Sequence, residues 1–375
     1  MTNAERKEKR FQRRKAIRLA KKEKFLNNMP TYDEVFTYEH LWSSFWLCRQ
    51  DVSWKPSIQM YQQNLNLEII KIMNELKSDQ GFHSRGFIEF NICERGKMRH
   101  IKSVDIRERV VQRCFCDYYL VPLLTRNLIY NNGASLKNKG VAFSLNRLKQ
   151  ALKQYYKKYH TNEGYIVLYD FSNYFGNIDH KKLYNMIDPL IKDEKCKKLF
   201  HHLIDVFGDN GLGLGSQVSQ VSAVSFPNKL DQTFMNLPIV ENYARYMDDG
   251  YIITHTKRDA EKSIQILIEQ CKKLNIILNP KKIRICKLNH YFTYIKKRFC
   301  LTKSGKSIMK LNRNNIFKHK RRINKLLKLV KKNKLTKADV ILSHKSWYGQ
   351  VKNKYYNRKA IYNIHLEILK LIENF

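Results

Sequence analysis

The chain has 375 residues, with 71 Lys and Arg set against 33 Asp and Glu for a formal net charge of +38. Hydrophobic residues at 43% and aromatics at 12% supply a substantial core and exclude wholesale disorder. The charge excess excludes an ordinary enzyme working without an anionic partner, and nucleic acid is the polyanion that matches it.

Residues 1–30 form a basic arm, in which a run from Arg6 to Lys24 meets only Glu5, Glu8 and Glu23. Helix breakers are few before Pro30, so the arm can become helical against a polyanion. Residues 31–160 read as mostly helical, with aromatic anchors at Trp42, Phe45, Trp46 and Trp54. One hairpin interrupts them, with strands over 87–92 and 98–101 and a turn at Glu94-Arg95-Gly96-Lys97. A helix over 107–113 follows, then a basic loop over 132–140 suited to backbone phosphates.

Residues 161–300 alternate strands and helices without a repeating βαβ unit, an α+β pattern. Tyr165-Ile166-Val167-Leu168-Tyr169-Asp170 is an apolar strand that ends on a carboxylate. Gly211-Leu212-Gly213-Leu214-Gly215 is a glycine-rich turn that leads into a helix-like run through Gln220. Tyr246-Met247-Asp248-Asp249 stands between two strands rich in Tyr and Ile. Asp249-Gly250 is a tight-turn signal, which predicts a hairpin with both acids water-exposed at its tip. Adjacent like charges repel without a cation, so a divalent metal is their natural third party.

From Thr302 through Ala338 there is no acid, while Lys and Arg accumulate beside an apolar stripe at Ile316, Ile323, Leu326, Leu327 and Val330. This predicts an amphipathic helix with a basic face for a duplex. An aromatic helical segment over 346–356 is expected to pack against it. No apolar run approaches the ~18 residues of a spanning helix, and the amino terminus lacks a signal-peptide core, so a cytoplasmic protein without membrane contact is expected. The eight cysteines form no Cys-x-x-Cys pair, which favours reduced thiols over a zinc site or disulfide framework.

The acid-ended strand, the glycine loop with its helix and the double-acid hairpin together resemble the palm of reverse transcriptases, in order, spacing and structural type. That resemblance implies an α+β right-hand polymerase: a basic arm over 1–30, fingers over 31–160, a palm over 161–300 with fingers helices inserted near 181–235, and a helical basic thumb over 301–375. It implies RNA-directed DNA polymerase activity with two Mg²⁺ ions, Mn²⁺ being an alternative. Asp170 and Asp248 would hold both metals, Phe171 would offer its backbone carbonyl, and Asp249 would support the pair. Lys97 and Arg99, on the second strand of the 87–101 hairpin, are implied to close over an incoming dNTP. Lys282, in Leu278-Asn279-Pro280-Lys281-Lys282, is implied to approach the triphosphate. Phe175 takes the position of a ring beneath the sugar, where it would clash with a ribose 2′-hydroxyl. Phe292-Thr293-Tyr294-Ile295 resembles the primer-grip hairpin, without its usual glycine.

The middle motif departs from the common Gln-Gly-x-x-x-Ser-Pro. Here it reads Leu214-Gly215-Ser216-Gln217-Val218-Ser219-Gln220, with Leu214, Gly215 and Gln220 implied to lie beside the nascent pair. This variant resembles diversity-generating retroelement enzymes, in which losing an amide check on pair geometry accompanies error-prone copying. Antiviral-defence reverse transcriptases diverge in the same loop and form the alternative reading, with a dedicated noncoding RNA or untemplated synthesis. The length and the absence of nuclease or protease modules suggest a bacterial or phage member. The implied partners are a structured RNA template, a DNA or RNA primer, dNTPs and optionally a small accessory protein. A non-catalytic, maturase-like RNA-binding protein would fit the basic surface equally well, but not the three acids.

Overall fold

A computed structural model describes residues 2–94, 97–352 and 354–375. The fold is mixed α+β and divides into two compact units. The first takes the chain up to Asn138, then Phe171–Thr233 and Leu267–Leu278; the second takes Lys139–Asp170, Phe234–Ile266 and Asn279–Phe375.

The first unit is mostly helical. The basic arm is the helix Asn3–Asn27, opened by a capping box in which Thr2 accepts from Glu5 N–H and Glu5 accepts from Thr2 N–H. Leu26 is buried at its far end, and the Arg126 guanidinium lies 4.0 Å over the Phe25 ring. The unit's core holds the buried faces of the helices Tyr38–Arg49, Leu65–Lys77 and Ile106–Phe115. Leu41, Phe45, Ile69, Ile72, Val110, Val111 and Phe115 are fully buried there. Each such side chain contributes roughly 1.5–3 kcal/mol by leaving water. The predicted hairpin is present as β1 (Ile88–Glu94) and β2 (Lys97–Ser103), antiparallel with Phe90 opposite Ile101. Its apolar side chains Ile88, Phe90, Ile92 and Met98 are exposed. In the loop over 132–140, Asn132 and Ala134 are buried, and Asn132 Nδ2 donates to the Val224 carbonyl.

The second unit is built on a four-stranded antiparallel sheet. Its strands β3 (Tyr165–Asp170), β4 (Asn242–Tyr246), β5 (Asp249–Thr254) and β6 (Arg284–Lys287) run in the order β4-β5-β3-β6. β3 is almost continuously buried, as a strand covered on both faces must be, and its apolar run lacks alternation for that reason. The helix Val141–Tyr159 packs Leu145, Leu148, Leu152 and Tyr155 into the same core as Ile166, Leu168, Tyr251 and Ile253.

A second sheet, β7 (Phe292–Tyr294), β8 (Lys297–Leu301) and β9 (Ser307–Lys310), shares that core. Its first hairpin turns at Ile295 and Lys296, both left-handed at φ 43° and 62°, so the geometry is reached without the family's glycine. The chain then forms the helices Arg313–Lys331, Lys337–Val351 and Arg358–Glu373, joined by Ile323, Leu327, Val340, Ile368 and Ile372. Among the described residues no helix is long and apolar enough to cross a membrane.

Candidate active site

The site forms where three segments of the second unit meet at one end of its sheet. β3 delivers Asp170 as its last residue, directly opposite Asp249, the first residue of β5. Residues paired across an antiparallel ladder project from the same face, with Cβ atoms about 4.5–5.5 Å apart. The two carboxylates are therefore neighbours, although 79 positions separate them in sequence. Asp248 follows from the turn just before Asp249.

That turn corrects one expectation. Tyr246 pairs with Asp249, so the residues that reverse the chain are Met247 and Asp248, with Met247 left-handed at φ 56°. Asp249-Gly250 belongs to the strand. The glycine is needed there for space, because a Cβ at position 250 would lie 2.2 Å from the Tyr169 ring. Tyr169 stands opposite Gly250 in the register and is itself buried. The expectation of water-exposed acids is corrected too: Asp170 is 5% exposed, and Asp248 and Asp249 are only half-buried.

Crowding these acids has an electrostatic cost. The Asp249 carboxyl is held well above the usual carboxylate range, first by burial, then by repulsion from Asp248 and from Asp170. Lys282 is the counterweight. It lies in the short turn Pro280–Lys282 that precedes β6, and that turn is tied to β3 by a hydrogen bond from Asn279 N–H to the Asp170 carbonyl. From there Lys282 Nζ reaches Asp170 Oδ2 at 2.5 Å. Among the described residues no three His, Cys, Asp or Glu side chains are drawn into a ready-made metal cage. The donor set still fits a hard divalent cation, since three carboxylates with one ammonium between them retain net negative charge.

A family model described as reverse transcriptase (RNA-dependent DNA polymerase) matches residues 53–298. The chain belongs to the reverse transcriptase family. Its members are nucleotidyltransferases, RNA-directed DNA polymerases. The match carries Asp170, Asp248, Asp249 and Lys282 within its span. Comparison with curated protein sequences finds no match.

Among solved structures the chain is similar to apo telomerase from Candida tropicalis truncated from its C-terminal domain, at 14% identity and TM-score 0.48, covering 68% of this chain and 60% of that one. It is also similar to telomerase from Candida albicans in complex with a TWJ fragment of telomeric RNA, at 8% identity and TM-score 0.50, covering 77% of this chain and 54% of that one. At 8% identity the second likeness is one of fold. The reverse transcriptase chain thus spans little more than half the length of those two.

The remaining expected site residues lie in the first unit. Phe171 is buried, bridges Leu278 through its backbone and packs its ring on Tyr174 at 5.2 Å. Phe175 opens a short 3-10 turn and is half-buried; its carbonyl accepts from Leu212 N–H at 2.7 Å. That bond ties the candidate sugar gate to the glycine loop. Gly211, left-handed at φ 82°, lets the loop approach closely, since a Cβ there would meet the Gly176 carbonyl at 2.8 Å. Leu214 is half-buried and Gly215 exposed, beside the backbone of Lys102 on β2.

Ser216 then caps the helix Gln217–Ser225 by accepting from Ser219 N–H, and Gln220 is exposed on its first turn. Lys97 and Arg99 have their backbones in β2, and their side chains lie outside the described residues.

Sequence reasoning missed Arg245. It is fully buried in β4, and its Nη1 donates to the Met247 carbonyl at 2.9 Å, bracing the turn that carries Asp248 and leads into Asp249. An arginine inside the apolar run Tyr243-Ala244-Arg245-Tyr246 was the available signal, because a buried guanidinium must have acceptors. Tyr169 was missed in the same way. Its hydroxyl is 2.7 Å from that of Tyr243, beneath Gly250.

Proposed function

We propose that this chain extends a primer 3′-hydroxyl with deoxynucleotides on a structured RNA template. The observation that carries this reading is the register that sets Asp170 against Asp249 with Asp248 in the adjoining turn. Asp170, Asp248 and Asp249 would hold two divalent cations, Mg²⁺ in the first instance, which when bound stabilise the attacking and leaving oxygens of an in-line phosphoryl transfer. Lys282 neutralises Asp170 in the resting site, and its long side chain, nearly half exposed, can transfer to an incoming triphosphate. Arg245 keeps the turn from relaxing as the acids repel. The net charge of +38 supports a polyanionic template and primer held by fingers over 31–160, a palm over 161–300 and a thumb over 301–375.

RNA-templated primer extension tests the reading. Asp248→Ala and Asp249→Ala are each expected to abolish incorporation while binding of primer–template persists. Undiminished incorporation by both variants would sink it.

Leu214 and Gln220 support a narrower role, that of a diversity-generating retroelement enzyme with relaxed fidelity. Leu214→Gln is then expected to lower misincorporation opposite template adenine, as read by sequencing the cDNA. An unchanged error spectrum removes that role and leaves the polymerase reading intact.

A further inference from the structure

The C-terminal helices carry a second site with a different chemistry. A pocket of about 460 Å³ opens along Lys337–Val351 and Arg358–Glu373, lined by Tyr348, Lys352, Arg358, Lys359, Tyr362 and His365. That volume lies within the range of small-ligand sites, roughly 300–1,000 Å³. Three cations and three aromatic rings with no acid between them form an unusual wall for an empty surface dent.

Its aromatic part is built in advance. The rings of Tyr348 and His365 stack at 3.7 Å with 2° between their planes. Tyr362 sits beside them, 6.3 Å from His365 and half exposed. His365 is fixed from behind by a chain of histidines reaching into the bundle. Its Nδ1 bonds His344 Nε2 at 2.8 Å, and His344 Nδ1 bonds His319 Nε2 at 2.9 Å. His319 in turn stacks on Trp347 at 4.0 Å and 7°. Because His365 spends Nδ1 on this chain, Nε2 is the nitrogen it can offer to the pocket.

Its charged part is unfinished. A helix amino terminus carries partial positive charge and favours acids or a side-chain cap. The neighbouring helix Lys337–Val351 follows that rule, with a capping box between Thr336 and Asp339. The helix Arg358–Glu373 breaks it: no side chain caps it, no acid lies in its first turn, and it opens on Arg358 and Lys359. Two cations at an uncapped amino terminus leave positive charge that a bound anion would balance.

We propose that this pocket binds an unpaired nucleotide, its base against Tyr362 and the Tyr348–His365 stack and its phosphate between Lys352, Arg358 and Lys359. Stacking tolerates any base and the cations need only a phosphate, so either a single RNA strand or a free nucleotide supplies the chemistry. None of these residues belongs to the site of the three aspartates, and the inference goes beyond the polymerase reading.

The test uses the full chain without dNTPs or divalent metal, so that binding is scored apart from synthesis. AMP is titrated by calorimetry, and a single-stranded 4-thiouridine oligoribonucleotide is photocrosslinked and mapped by mass spectrometry. Tyr362→Ala and the double variant Arg358→Glu/Lys359→Glu change exposed side chains, so folding is not at issue.

AMP binding that weakens in both variants, by roughly 5- to 150-fold for Tyr362→Ala, supports the pocket and assigns it to a free nucleotide. Crosslinks at Tyr348 or Tyr362 without AMP binding support it and assign it to a strand. Absence of both signals overturns it. So does a loss confined to the charge reversal while Tyr362→Ala binds fully, which would mark a diffuse basic surface. The same measurements on Asp248→Ala separate this inference from the polymerase reading, since that variant should bind here whether or not it can synthesise.

Discussion

Gly250→Ala is the most informative single change at the site. An added Cβ would lie 2.2, 2.3 and 2.6 Å from the Tyr169 Cζ, hydroxyl and Cε1. Ordinary contact begins near 3.5 Å, so the ring must move by more than about 1 Å or β5 must retreat. The ring is not free to swing. Tyr169 is 2% exposed, and its hydroxyl bonds that of Tyr243, a fully buried ring stacked on Phe234 at 5.2 Å.

Losing that hydrogen bond costs about 1 kcal/mol and overpacking adds roughly 1–3, so the total destabilisation is on the order of 2–4 kcal/mol. Whatever β5 yields instead displaces Asp249, the residue immediately before. The expected outcome in primer extension is a fall in kcat of tenfold or more, with KM for dNTP little changed. Tyr169→Leu removes the ring, and in a double-mutant cycle it should recover most of the loss, a coupling of at least about 1.5 kcal/mol. A Gly250→Ala chain with wild-type rate and denaturation midpoint, or strictly additive losses, would refute the packing argument.

Lys282→Met removes the cation that draws the Asp249 carboxyl down, so the acid limb of the pH–rate profile should move to higher pH; an unmoved limb would dissociate Lys282 from the acids. Phe175→Ala should admit ribonucleotides in primer extension, and unchanged sugar selectivity would remove Phe175 as the gate. Arg245→Met leaves the Met247 carbonyl without its donor and should lower kcat more than Arg245→Lys, whereas equal losses would assign Arg245 to bulk packing alone.

The C-terminal bundle should weaken in acid. Burial and neighbouring cationic rings or side chains hold His319 and His344 down at about 4 against 6.5 in the unfolded chain, so the folded state takes up fewer protons. Stability is then full above pH 6.5 and lost as pH falls toward 4, by up to about 3 kcal/mol for the first ring to charge. Urea midpoints between pH 7.5 and 4.5 check this, and His344→Phe should flatten the slope.

The candidate site could be outlined from sequence because its acids stand in short, ordered segments. Tyr165–Asp170 announced a buried strand by its apolar run, and the acids at 248 and 249 declared their repulsion. What stayed hidden depended on the third dimension. Asp249-Gly250 carries the composition of a hairpin turn, yet Gly250 answers to a tyrosine 81 positions earlier that no local signal connects to it. Lys282 could be placed by resemblance but not its bond to Asp170, which follows from β6 pairing along β3. The histidine chain was invisible for the same reason. His319, His344 and His365 lie on three helices, and their spacing has no meaning until those helices pack.

Two places in the second unit gather like charge without its counterweight. At one, three carboxylates crowd a single end of a sheet, and one lysine is too little to balance them. At the other, a helix begins on two cations with no cap. Elsewhere the same chain caps its helices at Thr2, Thr31 and Thr336 with the complete side-chain box, so the grammar is available to it. Opposite charge is missing in each place, and the missing signs are opposite: cations at the aspartates, an anion at Arg358. A nucleic-acid polymerase meets both, because its metal ions and its phosphates arrive together with the substrate. On the proposed reading the imbalance would sit in the free protein at the two points where ligands complete it, and binding, rather than folding, would remove the conflict.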